Sequence, residues 1–122
     1  MASGNDPIRT ILSEWSQSQE LVIRLWLIGS RANGNNRPYS DVDIVVKLSG
    51  LSDSERYMNW AGHQNDWQLE LEEMLKLPVH LFNYDTRERD PSKEKKWSVH
   101  TIVKEYGVLL FERAGQKPHS AG

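Results

Sequence analysis

Two apolar runs with strand character are separated by an almost wholly polar stretch, and this constrains the chain more than any other feature. Leu21–Ile28 is short, apolar and rich in β-branched and aromatic residues, so it reads as a buried strand. It stops at Gly29-Ser30. From there to Ser40 the residues are Gly, Asn, Ser, Arg and Pro with almost nothing apolar, which reads as a loop. Strand character resumes over Asp41–Leu48. Period-two alternation puts Asp41, Asp43 and Val45 on one face and Val42, Ile44 and Val46 on the other.

The flanks supply helices and two more strands. Asp6-Pro7 reads as a helix start, and Ile8, Ile11, Leu12 and Trp15 recur at helical spacing behind it. Ser52 with Glu55 forms a capping-box pattern that opens a helix from about Asp53 to Lys76, with a break open at Gly62. Its apolar positions are Trp60, Trp67, Leu71, Met74 and Leu75. Pro78–Tyr84 is a third strand, and a charged stretch follows. Val99, Ile102, Val103 and Tyr106 mark a last helix stopped by Gly107, and Val108–Phe111 a final strand. The order α-β-loop-β-α-β-α-β implies an α+β fold, a small mixed β-sheet with helices packed on it. One domain is expected over residues 8–113, with flexible ends at 1–7 and 114–122.

Composition narrows the functions. A length of 122 residues favours one domain with a modest core. A net charge of −2, from 15 basic and 17 acidic residues, provides no broad field for a nucleic-acid backbone, so a nucleic-acid partner is not expected. The absence of cysteine excludes disulfides, thiolate metal sites and a cysteine nucleophile. The start MASGNDP has no secretory pattern, and no apolar run approaches the roughly 18 to 20 residues of a membrane span. The expected location is cytoplasmic. Five tryptophans (Trp15, Trp26, Trp60, Trp67 and Trp97) either fill the core or mark a surface for a partner or a base.

The chemistry lies in Gly29-Ser30-Arg31-Ala32-Asn33-Gly34 and in Asp41-Val42-Asp43. Carboxylates at i and i+2 of a strand lie about 7 Å apart on one face, close enough to share a divalent ion. An all-oxygen site of this kind suits Mg²⁺ or Mn²⁺ with water and phosphate oxygens. A strand ending in Gly-Ser lets backbone approach a ligand, with amides and a hydroxyl to donate to phosphate. The parts together describe a site for a metal-bound nucleoside triphosphate. Taken singly, each is also an ordinary turn or a solvated strand face.

The pattern Gly29-Ser30-Arg31-Ala32-x-Gly34, followed by Ser40-Asp41-x-Asp43-Ile44, resembles the signature of the minimal nucleotidyltransferases. These are small relatives of DNA polymerase β and of the aminoglycoside nucleotidyltransferases. The resemblance extends over roughly residues 8 to 113, including the ending Gly107–Glu112. It implies that Gly29 and Ser30, with Arg31 and Ser40, bind the nucleotide, and that Asp41 and Asp43 hold Mg²⁺ or Mn²⁺ for in-line attack on the α-phosphate. Arg31 and Arg37 are candidates for phosphate contact or ordinary solvated loop residues. It also implies ATP as donor and a separate helical HEPN protein as partner in a toxin–antitoxin pair, with this chain as antitoxin.

The match departs at one position. The family carries a third carboxylate on the next strand, in a pattern like Val-Asp-Leu, where this chain reads Val79-His80-Leu81. The substitution changes the site's charge from about −3 to −2. His80 could act as general base or as a ligand better suited to Mn²⁺. Alternatively the protein binds nucleotide without efficient transfer, or Asp85 replaces the missing acid through a bend in the strand. His63, His100 and His119 show no ligand spacing. The run Arg87–Lys96 is a solvated segment or a contact for phosphates or an acidic partner. Two functions follow: a metal-dependent nucleotidyltransferase, or a catalytically degenerate module that binds nucleotide or partner.

Overall fold

The computed structural model describes residues 6–85 and 99–113. The run Arg87–Lys96, Trp97, His119 and most of the two end segments expected to be flexible lie outside the described residues. The elements run α1 (Asp6–Ser18), β1 (Val22–Ile28), α2 (Ser30–Asn33), β2 (Val42–Leu48), α3 (Asp53–Leu75), β3 (Val79–Asn83), α4 (Val99–Tyr106) and β4 (Val108–Glu112). The four strands form one sheet in the order β3-β2-β1-β4. β1 pairs antiparallel with β2 and with β4, while β2 and β3 are parallel, so the sheet is mixed as expected.

The near-continuous apolarity of β1 and β2 reflects a sheet covered on both faces. On one face Leu25, Leu27, Val42, Ile44, Val46 and Leu48 are buried beneath α1 and α3, which contribute Ile8, Leu12 and Trp15, and Trp60, Trp67, Leu71 and Leu75. On the other, Trp26, Ile28 and Val45 pack against Val103 of α4, flanked by Val99, Ile102 and Tyr84. The helices α1 and α3 are tied by their tryptophans. Trp15 and Trp67 meet edge-to-face with ring centroids 5.6 Å apart, and their indole N–H groups donate to Glu70 and Gln19. All four described tryptophans are thus core residues.

Three local expectations change. α3 runs unbroken through Gly62, because its buried positions on both sides of that residue hold it to the sheet. It opens as expected, with the Ser52 hydroxyl accepting from Glu55 N–H at 3.1 Å. Met74 is exposed; Leu75 takes the last core position. The polar stretch after β1 is not all loop, since Ser30–Asn33 make one helical turn bracketed by Gly29 and Gly34, both at positive φ. The last strand is clasped to the first helix. The Arg113 guanidinium donates to the carbonyls of Ser16, Gln19 and Val22, where α1 ends and β1 begins.

Candidate active site

The strand register brings three chemically distinct positions into one row. Ile28, the last residue of β1, pairs with Asp43 of β2, and Asp43 pairs with His80 of β3. Gly29 therefore leaves the sheet beside Asp43, and His80 flanks Asp43 on the other side. Alternation along β2 sends Val42 and Ile44 into the core and leaves Asp43 half-buried on the opposite face.

Gly29 has φ 75° and ψ −158°, and a Cβ there would lie 2.5 Å from Asp43 Oδ2. Only glycine permits this approach of backbone to carboxylate. Asp41 joins the group from the end of the loop. The His80 ring reaches both acids, with Nδ1 3.2 Å from Asp43 Oδ1 and Nε2 3.5 Å from Asp41 Oδ2. The glycine turn, both carboxyl groups and the imidazole thus share one end of the sheet. Burial raises the Asp43 carboxyl above its ordinary value; His80 opposes the rise and the charge of Asp41 adds to it.

Arg31, expected at the nucleotide, braces the loop from within. It is buried, and its guanidinium donates to the carbonyls of Pro38 at 3.1 Å and of Ser40 at 2.8 and 3.0 Å. Those bonds fold the loop back on α2 and set where Asp41 enters the sheet. Ser40 serves the same turn, its hydroxyl accepting from Arg37 N–H at 2.8 Å. Ser30 begins α2 directly after Gly29, and Arg37 is exposed at the loop.

Asp85 is engaged elsewhere. Its carboxylate accepts from Lys47 Nζ at 3.1 and 3.2 Å and lies 3.4 Å from Arg56 Nε. Lys47 stands four residues beyond Asp43, about 13 Å along the strand. That far end of the sheet also holds a cleft of about 780 Å³, lined by residues including Arg24, Lys47, Arg56 and Glu112. The acid pair does not line it. One neighbour was not singled out from the sequence: Phe82, on the same face of β3 as His80 and 38% exposed. Strand parity with His80 is the signal that locates it.

Among the described residues no three His, Asp or Glu side chains are pre-arranged to hold a metal ion. The residues nevertheless fit a divalent cation that takes two carboxylates from protein and its other ligands from phosphate and water. No helix of the described residues is long and apolar enough to cross a membrane.

The class of domain follows from comparison with known proteins. A family model described as nucleotidyltransferase domain matches residues 8–110, and the chain belongs to that family. Among solved structures, it is similar to one described as a toxin–antitoxin with AMP-PNP, at TM-score 0.55 and 18% identity, covering 89% of this chain and 75% of that one. A second, a mutant of the toxin–antitoxin pair MntA–HpeT, aligns at TM-score 0.51 and 15% identity over 93% of this chain and 75% of that one. Likeness at that identity is a likeness of fold. No curated protein sequence matches the chain.

Proposed function

We propose that this chain is a metal-dependent nucleotidyltransferase that moves AMP from ATP onto a hydroxyl of a partner protein, as the antitoxin of a toxin–antitoxin pair. The observation that carries the reading is the contact between Gly29 backbone and the Asp43 carboxylate, with Asp41 linked to the same group through His80. Asp41 and Asp43 would hold the divalent ion, Mg²⁺ or Mn²⁺. When bound, such an ion neutralises charge on the triphosphate and on the departing pyrophosphate. Gly29 brings backbone against the phosphates, and the Ser30 hydroxyl is a donor to them. The acceptor oxygen bonds to the α-phosphorus as the bond to the bridging oxygen breaks, its proton is released, and pyrophosphate leaves.

The exposure of Asp41 and His80 supports an acceptor presented by another protein. The two solved structures described above are toxin–antitoxin structures and one contains AMP-PNP, which supports ATP and a toxin partner; the helical HEPN kind of that partner rests on the sequence resemblance. Incubation with ATP labelled at the α-phosphate, in the presence of proteins encoded beside this one, is expected to label one of them. Label from the γ-phosphate, or none from either, refutes the reading.

The contact of His80 with both acids also favours a second reading, in which the imidazole has disarmed the pair and the domain only binds nucleotide or partner. Tryptophan emission and melting temperature separate the two readings. A shift with ATP and Mg²⁺ or Mn²⁺, without labelled product from any candidate acceptor, selects the binding module.

A further inference from the structure

We propose that Tyr39 is an internal acceptor: without a partner present, its phenol takes the nucleoside monophosphate from the triphosphate bound at the acid pair of its own chain. This rests on the nucleotidyltransferase reading and adds to it a modification site on the chain itself.

The turn before β2 presents the residue. Ser40 N–H donates to the Arg37 carbonyl at 3.0 Å, closing a β-turn with Pro38 and Tyr39 at its corners. The buried Arg31 guanidinium bonds the carbonyls on either side of Tyr39, those of Pro38 and Ser40. The backbone is thus tied down, while the Tyr39 side chain makes no hydrogen bond among the described residues. Of the four tyrosines it is the most exposed, at 87% against 65% for Tyr106 and 54% for Tyr57. The serine hydroxyls nearby have other work. The Ser40 oxygen accepts from Arg37 N–H at 2.8 Å, and Ser30 opens α2 as the donor to phosphate.

Chain connectivity limits the distance. Tyr39 and Asp41 are two residues apart, so their backbones stand at most about 7 Å from each other, a gap that a tyrosine side chain matches in length. Rotation of an exposed side chain is fast and leaves the braced backbone where it is. An acceptor tethered this close to the acids reacts in a unimolecular step and needs no docking surface to hold it. In that step the phenolic oxygen bonds to the α-phosphorus and the bond to the α–β bridging oxygen breaks. Pyrophosphate leaves with the electron pair, the phenolic proton passes to water, and Tyr39 is left as a phosphodiester of AMP.

The test incubates the purified full chain, alone, with ATP labelled at the α-phosphate and Mg²⁺ or Mn²⁺, and locates the label by peptide mass spectrometry. Wild type is expected to gain one AMP group, on Tyr39, at a fractional rate that does not change as the protein is diluted. Tyr39→Phe should lose nearly all of that label, and Asp43→Asn all of it. In a mixture of Tyr39→Phe with Asp43→Asn neither chain should gain label, because the active chain has no acceptor and the intact acceptor has no active site. Label on Tyr57, Tyr106 or a serine, label undiminished in Tyr39→Phe, or label on the Asp43→Asn chain of the mixture overturns the inference and leaves the transferase reading standing. So does a chain that stays unlabelled while labelling a protein encoded beside it. No label on the chain or on any such protein overturns both.

Discussion

Gly29→Ala tests the site by a displacement whose size can be worked from the coordinates. The new Cβ would sit 2.5 Å from Asp43 Oδ2, where ordinary contact begins at 3.4 Å, so the carboxylate must recede by about 0.9 Å. Holding alanine at φ 75° and ψ −158°, a region essentially open to glycine alone, adds about 1 to 3 kcal/mol of backbone strain. For a domain of this size that corresponds to a fall in Tm of very roughly 4 to 15 °C. A misplacement near 1 Å in a catalytic group lowers transfer by about 100-fold. Gly34→Ala is the internal control. It lies in the ordinary left-handed region, at φ 81° and ψ 5°, and nothing lies within 4 Å of the added Cβ, so it carries a milder strain without the displacement. Melting curves should show a loss in both variants, larger in Gly29→Ala. Transfer from labelled ATP, and Mn²⁺–AMP-PNP binding by calorimetry, should collapse only for Gly29→Ala. Equal functional losses in the two, or full function in Gly29→Ala, would refute the placement of Asp43 against the turn.

Further predictions follow from the same geometry. Because burial raises the Asp43 carboxyl, its stabilising contribution is present below the unfolded value of about 3.9 and is lost as pH rises through the folded value. Asp43→Asn should therefore melt higher than wild type at pH 7 in chelator, with the gap closing toward pH 4, while abolishing transfer; retained transfer would contradict the assignment. Arg113→Ala leaves three carbonyls at the α1–β1 junction without their guanidinium and should cost about 2 kcal/mol in urea unfolding, with a loss under about 0.5 counting against the clasp. Asp85→Asn should leave transfer unchanged, since its carboxylate engages Lys47 and Arg56 far from the row. A large loss there would restore it as the third acid.

The elements were legible where periodicity and burial agree. Alternation placed Val42, Ile44 and Val46 inward and Asp43 outward, and the structure has them so. The single turn α2 was not legible, because its four residues carry no apolar pattern. Its bracketing glycines and the internal bonds of Arg31 define it instead. Arg31 looked like a loop arginine for the same reason: a guanidinium bonded to carbonyls has no sequence mark that separates it from one bonded to phosphate. The partner of Asp85 lies 38 residues away, a distance over which only tertiary structure speaks. His80 was located by resemblance and by the strand character around it. Its simultaneous contact with both acids depends on the parallel register and had to be seen.

The row at the end of the sheet is assembled from distant stretches of chain, and its third member rides on an edge strand held by β2 on one side alone. The glycine and Asp43 share a hairpin that forms from neighbouring sequence, whereas His80 arrives only after α3 has carried the chain across. Release of β3 by local opening would therefore strip the imidazole from the acids while the hairpin stayed intact. The Glu72 carboxylate, which accepts from Val79 N–H at 3.0 Å, resists that opening. Amide exchange along β3 should thus track how much of the population carries a complete row, even where the rest of the sheet remains protected.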